Sequence, residues 1–330
     1  MHSTSTGLPS RTLLGPVGWV GRSVLAILGY FGGVTLLALG AAGSVLRPRL
    51  SREEAAAAPG FMKTVMHQLF WMLVMGVPLV GLVHIAMGSF LSLQAYYGST
   101  FIEGTGAVVG VGLLRNLGGL MTGMTFAGIL AARMIPELRI LARRLSAGGR
   151  PPDGSSTNAR HHPVETHSEV GGASIAIAPA RLAAPRIAAA GVACLLLSQW
   201  GIAVGTVVGW QASQTMMGIS TEMFFMMMTK MMWFRDVMGL IVKGLLFGVL
   251  PAAICCYEGL GPGALEDEPA GAGFSASHPA HGLAPPWATP VFRAVCLSCV
   301  AILILNSSWF MLVYHAVPFY GPTLLAPPGP

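Results

Sequence analysis

The chain has 330 residues, of which 53% are hydrophobic and only 10% are charged, and its formal net charge is +6. Soluble domains carry about 25% charged residues, and a mean hydropathy of +0.66 leaves too little polar surface to cover a water-soluble globule. Intrinsic disorder is excluded as well, because it requires low hydrophobicity and high charge. The composition therefore predicts an all-α integral membrane protein, and at ~20 residues per helical span the apolar runs predict about five spans.

The N-terminal part contains one apolar stretch that precedes these spans. Residues 1–12 are polar and lack the apolar core and cleavage site of a signal peptide. The glycine-rich stretch 13–46 is interrupted by Arg22. It is predicted to be a membrane-embedded helix, either a full span or an elbow helix lying in the interface.

Five further apolar runs predict transmembrane helices. They cover about 65–93, 104–132, 187–210, 237–257 and 291–313. A methionine-rich segment, 216–232, lies between the third and fourth of these runs. Methionines of this kind are more often apolar filler, although their flexible side chains also suit contact with acyl chains.

Arginine distribution predicts the orientation of the chain. Residues 133–186 contain eight arginines, whereas 94–112 contain neither lysine nor arginine. By the positive-inside rule the long 133–186 loop is cytoplasmic and the 94–103 loop lies outside. A nucleic-acid partner is not expected, because the basic residues follow membrane topology rather than forming a basic surface with aromatic residues.

Motifs of soluble catalysis and cofactor binding are missing from the sequence. No lysine follows a glycine, so the chain has no P-loop and is not its own ATPase. The five cysteines all lie in apolar segments and are predicted to be reduced, small and buried. No cofactor or metal is expected, and the simplest interpretation of the loop histidines is solvated side chains. Those histidines are His161, His162, His167, His278 and His281.

The most informative stretch is 113–138, LLRNLGGLMTGMTFAGILAARMIPEL. Arg115 and Asn116 lie about ten residues inside an apolar run, or ~15 Å deep at helical rise. A charged residue at that depth is costly and is by default a functional-site hypothesis. Small residues also recur every four positions, at Gly119, Gly123, Ala127 and Ala131, a spacing that is most often pure helix packing.

This stretch resembles the second helix of the MlaE/YrbE-type permeases, which belong to ABC transporters that move lipids between bacterial membranes. The family pattern reads roughly R-E-L-G-P-x-x-T-A-x-x-x-A-G-R-x-G-A-x-x-A-A-E-L-G. The chain keeps Arg115, Leu117, Gly118, Thr122, Ala127, Gly128, Ala132, Glu137 and Leu138. It departs from the pattern at Asn116, Gly119, Ile129 and Arg139.

Further blocks follow in the family's order across residues 60–315. They include 67–70, 88–94, 179–186, Asp236 with Gly239, Lys243 and 247–248, then 256–260 and 293–295. Two stretches, about 139–165 and 265–288, are insertions relative to the family. The predicted organisation is therefore a polar N-terminus at 1–12, an elbow helix at 13–46, a permease domain at 60–315 and a tail at 316–330.

The resemblance implies a permease subunit that performs no covalent chemistry itself. It implies a homodimer in the bacterial cytoplasmic membrane, an ATP-binding ABC subunit on the cytoplasmic side, a lipid substrate and an MCE-type lipid-binding protein on the outer side. ATPase coupling is assigned by the resemblance to the ends of the long loop. Those residues are Glu137, Leu138, Thr166, Glu169 and Pro179.

Substrate contact is predicted for Gln94, Arg115, Asn116 and Gly119. No carboxylate lies within two turns of Arg115 on its own helix, so a lipid phosphate could supply the counter-charge that its guanidinium fork fits. The alternative is that Arg115 and Asn116 only anchor the helix by binding backbone carbonyls of a neighbour. Gln94 could likewise be a wetted interface residue.

Two rival functions remain open from the sequence. The altered coupling loop is compatible with an ATP-independent lipid scramblase or a structural membrane scaffold. A membrane-embedded enzyme fits worst, because no intramembrane set of acid, base and nucleophile is evident in the sequence.

Overall fold

The computed structural model describes residues 14–46, 60–98, 110–147, 179–260 and 289–316. No β-strand occurs in these ranges. The α-helices are α1 (Leu14–Leu46), α2 (Phe61–Gly98), α3 (Gly118–Ala147), α4 (Pro179–Met217), α5 (Thr221–Met231), α6 (Phe234–Leu260) and α7 (Pro290–Phe310). A π-helix, Leu113–Leu117, leads into α3, and a second one, Met311–Ala316, follows α7.

Six of the described segments are long and apolar enough to cross a membrane. They are Val24–Val45, Phe61–Tyr97, Gly110–Ala142, Pro179–Met217, Phe234–Leu260 and Pro290–Val313. Helices suit this environment because they satisfy their backbone hydrogen bonds internally, where the bilayer core offers no water. The predicted all-α membrane fold is confirmed, and five of the six segments overlap the five predicted spans.

The helices alternate in direction, as contacts between them show. Gly76 of α2 lies close to Leu197 of α4, and Gly88 lies close to Gly205. Residue numbers therefore increase in the same direction along both helices, so α2 and α4 run parallel. Helix α3 runs antiparallel to α4, since Gly118 meets Ile202 at one end while Glu137 meets Arg186 at the other. Helix α6 also runs antiparallel to α4, and α7 runs antiparallel to α6.

These directions define two ends of the bundle. One end, here called the Arg115 end, contains the π-helix, α5 and the start of α6. The opposite end, the Glu137 end, contains the start of α4 and the last turns of α3 and α6. The predicted orientation places the Glu137 end in the cytoplasm, because the arginine-rich 133–186 loop connects α3 to α4 there.

Glycines allow α2 and α4 to pack closely, and this pair forms the largest helix contact of the described bundle. A Cβ atom at Gly88 would lie 2.5 Å from the carbonyl oxygen of Gly205. Ser92, one turn further, donates to the Gly88 carbonyl at 2.8 Å and reaches the Gly209 carbonyl at 3.4 Å. Close backbone approach of this kind needs small residues, as is common between membrane helices.

Helix α1 contacts the remaining bundle towards the Glu137 end. A Cβ atom at Gly33 would lie 2.5 Å from the Tyr257 ring, and one at Gly40 would lie 3.1 Å from Ala180. Tyr30 also packs edge-to-face on Tyr257 with ring centroids 5.1 Å apart. These contacts join α1 to α6 and α4, and most other described side chains of α1 are exposed.

The prediction that the cysteines are buried is only partly correct. No two of the five cysteines are joined in the structure, and Cys194, Cys255 and Cys256 are buried. Cys296 is exposed, however, and Cys299 is half-buried. Both lie on α7, whose outward face is not covered by the described part of the chain, and only 17% of its most apolar window is buried.

Candidate functional site

The π-helix at the start of α3 carries the intramembrane arginine. Arg115 Nε donates to Asp236 Oδ2 of α6 at 3.0 Å, and Arg115 Nη2 donates to the Met231 carbonyl at 2.7 Å. The Asp236 side chain is fully buried, whereas that of Arg115 is 33% exposed. π-helical turns often occur at functional sites, because the extra residue shifts neighbouring side chains relative to an α-helix.

The counter-charge expected from a lipid phosphate is supplied by the protein itself in this structure. Sequence reasoning searched only the helix that carries Arg115, whereas the partner Asp236 is 121 residues away along the chain. A signal was present nevertheless, since Asp236 and Lys243 are intramembrane charges seven residues apart and share one face of a helix. The expectation that Arg115 lacks a carboxylate partner is therefore wrong.

Asp236 and Lys243 connect the arginine to α6 more tightly than one ion pair would. Asp236 Oδ2 also accepts from the Trp233 backbone N–H at 3.0 Å, at the start of α6. Lys243 is buried and its Nζ donates to the Arg115 carbonyl oxygen. Charge-assisted hydrogen bonds of this kind are strong in a low-dielectric interior. The cluster joins the π-helix, the end of α5 and two turns of α6.

Asn116 contacts a different helix. Asn306 Nδ2 of α7 donates to Asn116 Oδ1 at 2.7 Å, and Asn306 is 6% exposed. The anchoring partner of Asn116 is thus a side chain of α7 rather than a backbone carbonyl. A buried amide pair between helices restricts their relative position, because each amide left alone would be unsatisfied.

The other two predicted substrate residues lie apart from this cluster. Gln94 is exposed near the end of α2, which terminates at the Arg115 end. Gly119 is buried, and a Cβ atom there would meet the Phe247 ring of α6 at 3.8 Å. Gly123 faces Phe247 as well, and Ala127 and Ala131 are fully buried, so the prediction that the small residues serve helix packing is confirmed.

A groove of about 450 Å³ opens beside Arg115. It is lined by Val111, Arg115, Lys230, Met231, Trp233 and Arg235. The Arg235 guanidinium lies over the Trp233 ring, 4.3 Å from its centroid, which is a cation–π geometry. The groove therefore combines three cations with apolar side chains at the Arg115 end of the spans.

The short helix α5 forms one wall of this groove. Ser220 caps its N-terminus by accepting from the Met223 N–H at 3.3 Å. Its buried Phe224 anchors it, while Met223, Met226 and Met231 remain at least 39% exposed. The predicted methionine-rich segment is thus a capped amphipathic helix, and the alternatives of filler and acyl-chain contact both remain open for its exposed methionines.

A second polar network occupies the Glu137 end. Glu137 Oε1 accepts from Arg186 Nη2 of α4 at 2.8 Å and from Gln68 Nε2 of α2 at 3.0 Å. Arg133 lies one turn earlier, with Nε 3.9 Å from Glu137 Oε2, and its guanidinium lies 4.0 Å from the Trp71 ring centroid. Glu137 thus joins three helices within the chain.

The remaining residues assigned to ATPase coupling divide into three groups. Leu138 is fully buried, and a Cβ atom at Gly259 would lie 2.7 Å from its Cβ. Pro179 is exposed as the first residue of α4. Thr166 and Glu169 lie outside the described residues, as do the five loop histidines and most of both insertions.

Glu258 and Arg293 form a further ion pair at the Glu137 end. The Arg293 guanidinium makes a two-point contact with the carboxylate, with Nε donating to Oε1 at 2.9 Å and Nη2 donating to Oε2. The Glu258 side chain is only 3% exposed. This pair connects α6 to α7 and uses two residues from separate sequence blocks.

His84 was not identified from the sequence, although it lies at the centre of the described bundle. Its ring is fully buried, with Nδ1 2.8 Å from the Val80 carbonyl oxygen and Nε2 3.2 Å from that of Gly118. Gly118 is the residue at which the π-helix ends and α3 begins. Gly201 makes room for the ring, since a Cβ atom there would lie 2.6 Å from it. A polar residue in the middle of an apolar run was the available signal.

The described residues contain no group of three or more His, Cys, Asp or Glu side chains able to hold a metal ion.

Comparison with known families gives one match, the family described as permease MlaE, over residues 173–312. This range contains Asp236, Lys243, Glu258 and Arg293, and it confirms the resemblance noted from the motifs. No curated protein matches the chain. The match covers fewer than half of the residues, and together with the helical fold it supports a multi-pass membrane protein that is similar to these permeases.

Proposed function

We propose that this chain moves phospholipid or a related lipid between bacterial membranes, driven by a separate ATPase subunit. The observation that carries the proposal is the charge cluster of Arg115, Asp236 and Lys243, which lies within the spans and opens into a groove at the Arg115 end. Ionisable groups within membrane spans commonly mark the path of a polar substrate. The permease match supports the same function.

The chain itself supplies a path for the lipid and performs no covalent step. Arg115 and Asn116 are the polar contacts along this path, and Gln94 lies at its rim. Gly119 lies at the contact between α3 and α6, where it faces Phe247. The lipid path would open at this contact if the two helices moved apart. Movement of α6 relative to α3 would change the Arg115–Asp236 contact and so alter exposure of the arginine.

The partners follow from the same proposal. The ATP-binding subunit docks on the cytoplasmic side, which is the Glu137 end, using exposed Pro179 and the loop that contains Thr166 and Glu169. Glu137 and Leu138 support this surface from within, by joining α2, α3, α4 and α6. The chain acts as a homodimer in the cytoplasmic membrane, and an MCE-type lipid-binding protein receives or delivers lipid on the outer side.

An ATP-independent scramblase is the second candidate. The insertion in the coupling loop favours it, because a permease driven by an ATPase needs an intact docking element. Purification of the tagged chain from native membranes, followed by mass spectrometry of proteins and lipids, separates the two functions. A co-purifying ATPase supports the permease, whereas lipid exchange by the chain alone in vesicles without any ATPase would support the scramblase.

The lipid path is tested by the neutral pair Arg115→Gln with Asp236→Asn. This double variant removes both charges together, so that no buried carboxylate is left without its partner. We expect it to keep its elution volume and to lose co-purified lipid relative to the unaltered chain. Lys63→Gln, an exposed site at the start of α2, is the matched control. Full lipid retention by the double variant would contradict a substrate role for Arg115.

A further inference from the structure

His84 faces a carbonyl oxygen with each of its two ring nitrogens. Nδ1 lies 2.8 Å from the carbonyl oxygen of Val80, one turn earlier on α2. Nε2 lies 3.2 Å from the carbonyl oxygen of Gly118, at the start of α3. The side chain is fully buried, so both nitrogens depend on partners within the protein.

A neutral imidazole does not satisfy both of these contacts. It has one N–H donor, and its other nitrogen is an acceptor. A carbonyl oxygen is also an acceptor, so either tautomer leaves one ring nitrogen opposite an oxygen with no proton between them. The shorter distance favours Nδ1 as the protonated atom of the neutral ring, which leaves Nε2 facing the Gly118 oxygen. An imidazolium has a donor at each nitrogen and satisfies both contacts.

The Thr122 hydroxyl is the third polar group at the ring. It donates to the Gly118 carbonyl oxygen at 2.8 Å and lies 3.5 Å from His84 Nε2. A hydroxyl has one proton to donate, and the shorter distance assigns that proton to the carbonyl oxygen. The hydroxyl therefore does not satisfy a neutral Nε2, and a second proton on the ring would.

The proton on His84 would be stabilised by carbonyl dipoles and not by a carboxylate. The polar contacts of the ring are the two carbonyl oxygens and the Thr122 hydroxyl. Titratable groups also occur on the elements around the ring, although these contacts do not include them. They are His67 and Tyr96 on α2, Cys194 on α4, Arg115 on the π-helix, and Asp236 and Lys243 on α6 behind Arg115.

Gly118, whose carbonyl oxygen faces Nε2, is the residue that closes the π-helix. Its N–H donates to the Leu113 carbonyl oxygen, and Arg115 lies between these two residues. The same turn holds the Arg115 side chain against Asp236. A stronger bond from His84 to the Gly118 carbonyl would therefore restrain the turn that positions Arg115.

We propose that His84 takes up a proton and that the imidazolium joins α2 to the π-helix, so that the restraint on Arg115 depends on pH. One proton passes from the solvent to the electron pair of Nε2, where an N–H bond forms, and no other covalent bond changes. Histidine is the side chain that commonly changes charge between about pH 5 and pH 8. Because His84 acts through Gly118, it is a positioning residue. This role does not depend on the proposed lipid function, and its test involves neither lipid transport nor an ATPase.

Backbone hydrogen exchange of the π-helix, residues 113–118, measures this restraint. The purified chain in nanodiscs is compared with His84→Asn by mass spectrometry at about pH 8 and about pH 5.5, on either side of the usual range of histidine. Peptides from this segment do not contain position 84, so their intrinsic exchange is the same in both proteins at a given pH. We expect the unaltered chain to be protected about fivefold more than His84→Asn at the lower pH, from the typical excess of a charged over a neutral hydrogen bond.

Two amide variants represent the two states of the ring. In His84→Gln the longer amide places an N–H donor near the position of Nε2 and donates to Gly118 at any pH, whereas the shorter amide of His84→Asn reaches only the position of Nδ1. We expect the unaltered chain to resemble His84→Asn at the higher pH and His84→Gln at the lower pH. His67→Gln is the matched control, because His67 is an exposed histidine of the same helix, and it should keep the pH response of the unaltered chain.

Nuclear magnetic resonance of isotope-labelled histidine gives a measurement that needs no variant to fold. Ring-nitrogen shifts distinguish imidazole from imidazolium. We expect the unaltered chain to show, at the lower pH, a doubly protonated ring whose N–H protons resist exchange with water, because His84 is fully buried. A ring with protected protons that stays singly protonated at both pH values would overturn the proposal.

The exchange measurement can contradict the proposal in three further ways. Protection at the level of His84→Gln at both pH values would mean that Nε2 already carries the proton of the neutral ring. Protection at the level of His84→Asn at both would mean that the ring does not restrain Gly118. An equal pH response in the two amide variants would assign the effect to other groups, such as Asp236 or Lys243.

Discussion

The Glu137 carboxylate accepts hydrogen bonds from two neighbouring helices, through Gln68 on α2 and Arg186 on α4. The Arg186 side chain is 9% exposed and Glu137 is 33% exposed, so this pair is partly shielded from solvent. A charge reversal at Glu137 would therefore disturb the fold as well as any surface for a partner. The structure favours an internal joining role for this residue, and a double-mutant cycle separates it from docking.

We expect Glu137→Gln and Arg186→Gln to be coupled by about 1 kcal/mol, because the two side chains contact each other directly and are only partly exposed. The measurement is thermal unfolding of the detergent-solubilised single and double variants. Arg133→Gln is the matched control, since Arg133 is 45% exposed and 3.9 Å from the carboxylate, and its coupling should be within a few tenths of a kcal/mol. Additive effects of Glu137 and Arg186 would contradict the joining role.

His84 and Gly201 form a second pair whose effects should not be additive. Gly201→Ala would place a methyl group 2.6 Å from the His84 ring, and overpacking of this kind costs about 1–3 kcal/mol. His84→Ala removes the ring and should be destabilising by itself, because the hydrogen bond to the Gly118 or Val80 carbonyl is lost. The double variant should therefore be more stable than the sum of the single changes. An additive loss of thermal stability would mean that the two residues do not share this space.

At the scale of elements, the spans were predictable and several of their details were not. Hydropathy locates the spans because a polar side chain in the hydrocarbon core of the bilayer costs free energy. The helices extend beyond the predicted runs, however, as α3 continues to Ala147 and α2 begins at Phe61. Helical propensity and capping decide these ends once the apolar part stops, and hydropathy does not report them.

The candidate site was predictable only in part. Arg115 and Asn116 were evident as polar residues in an apolar run, but their partners Asp236 and Asn306 belong to other helices. The π-helix was not predicted either, because a one-residue change in hydrogen-bonding pattern leaves hydropathy unchanged. Tertiary contact decides these features, and a single sequence contains no direct record of it.

Close packing of α2 on α4 gives an element-scale prediction. Gly88→Ala should destabilise the chain, because the added Cβ would lie 2.5 Å from a backbone oxygen of α4 and one helix must shift. Gly128→Ala is the matched control, since nothing lies within 4 Å of a Cβ at that position. It should be neutral or stabilising, because alanine gains roughly 0.5–1 kcal/mol over glycine within a helix. Equal melting temperatures for the two variants would contradict the close contact.

For the whole molecule, the helix directions and the distribution of arginine agree on which connections lie at which end of the bundle. Helices α2, α4 and α7 run from the Glu137 end to the Arg115 end, and α3 and α6 run back. The connection from α3 to α4 therefore lies at the Glu137 end, and that from α2 to α3 lies at the Arg115 end. The first connection belongs to the segment with eight arginines, whereas 94–112 has no lysine or arginine.

Positive-inside bias then predicts that the Glu137 end faces the cytoplasm. Single cysteines at positions 99 and 155 test this, as Ser99→Cys and Ser155→Cys in a background whose five native cysteines are replaced by alanine. We expect a membrane-impermeant maleimide to label position 99 in intact cells and to label position 155 only after the membrane is permeabilised. The reverse pattern would place the cationic groove at the cytoplasmic face, where lysine and arginine are common.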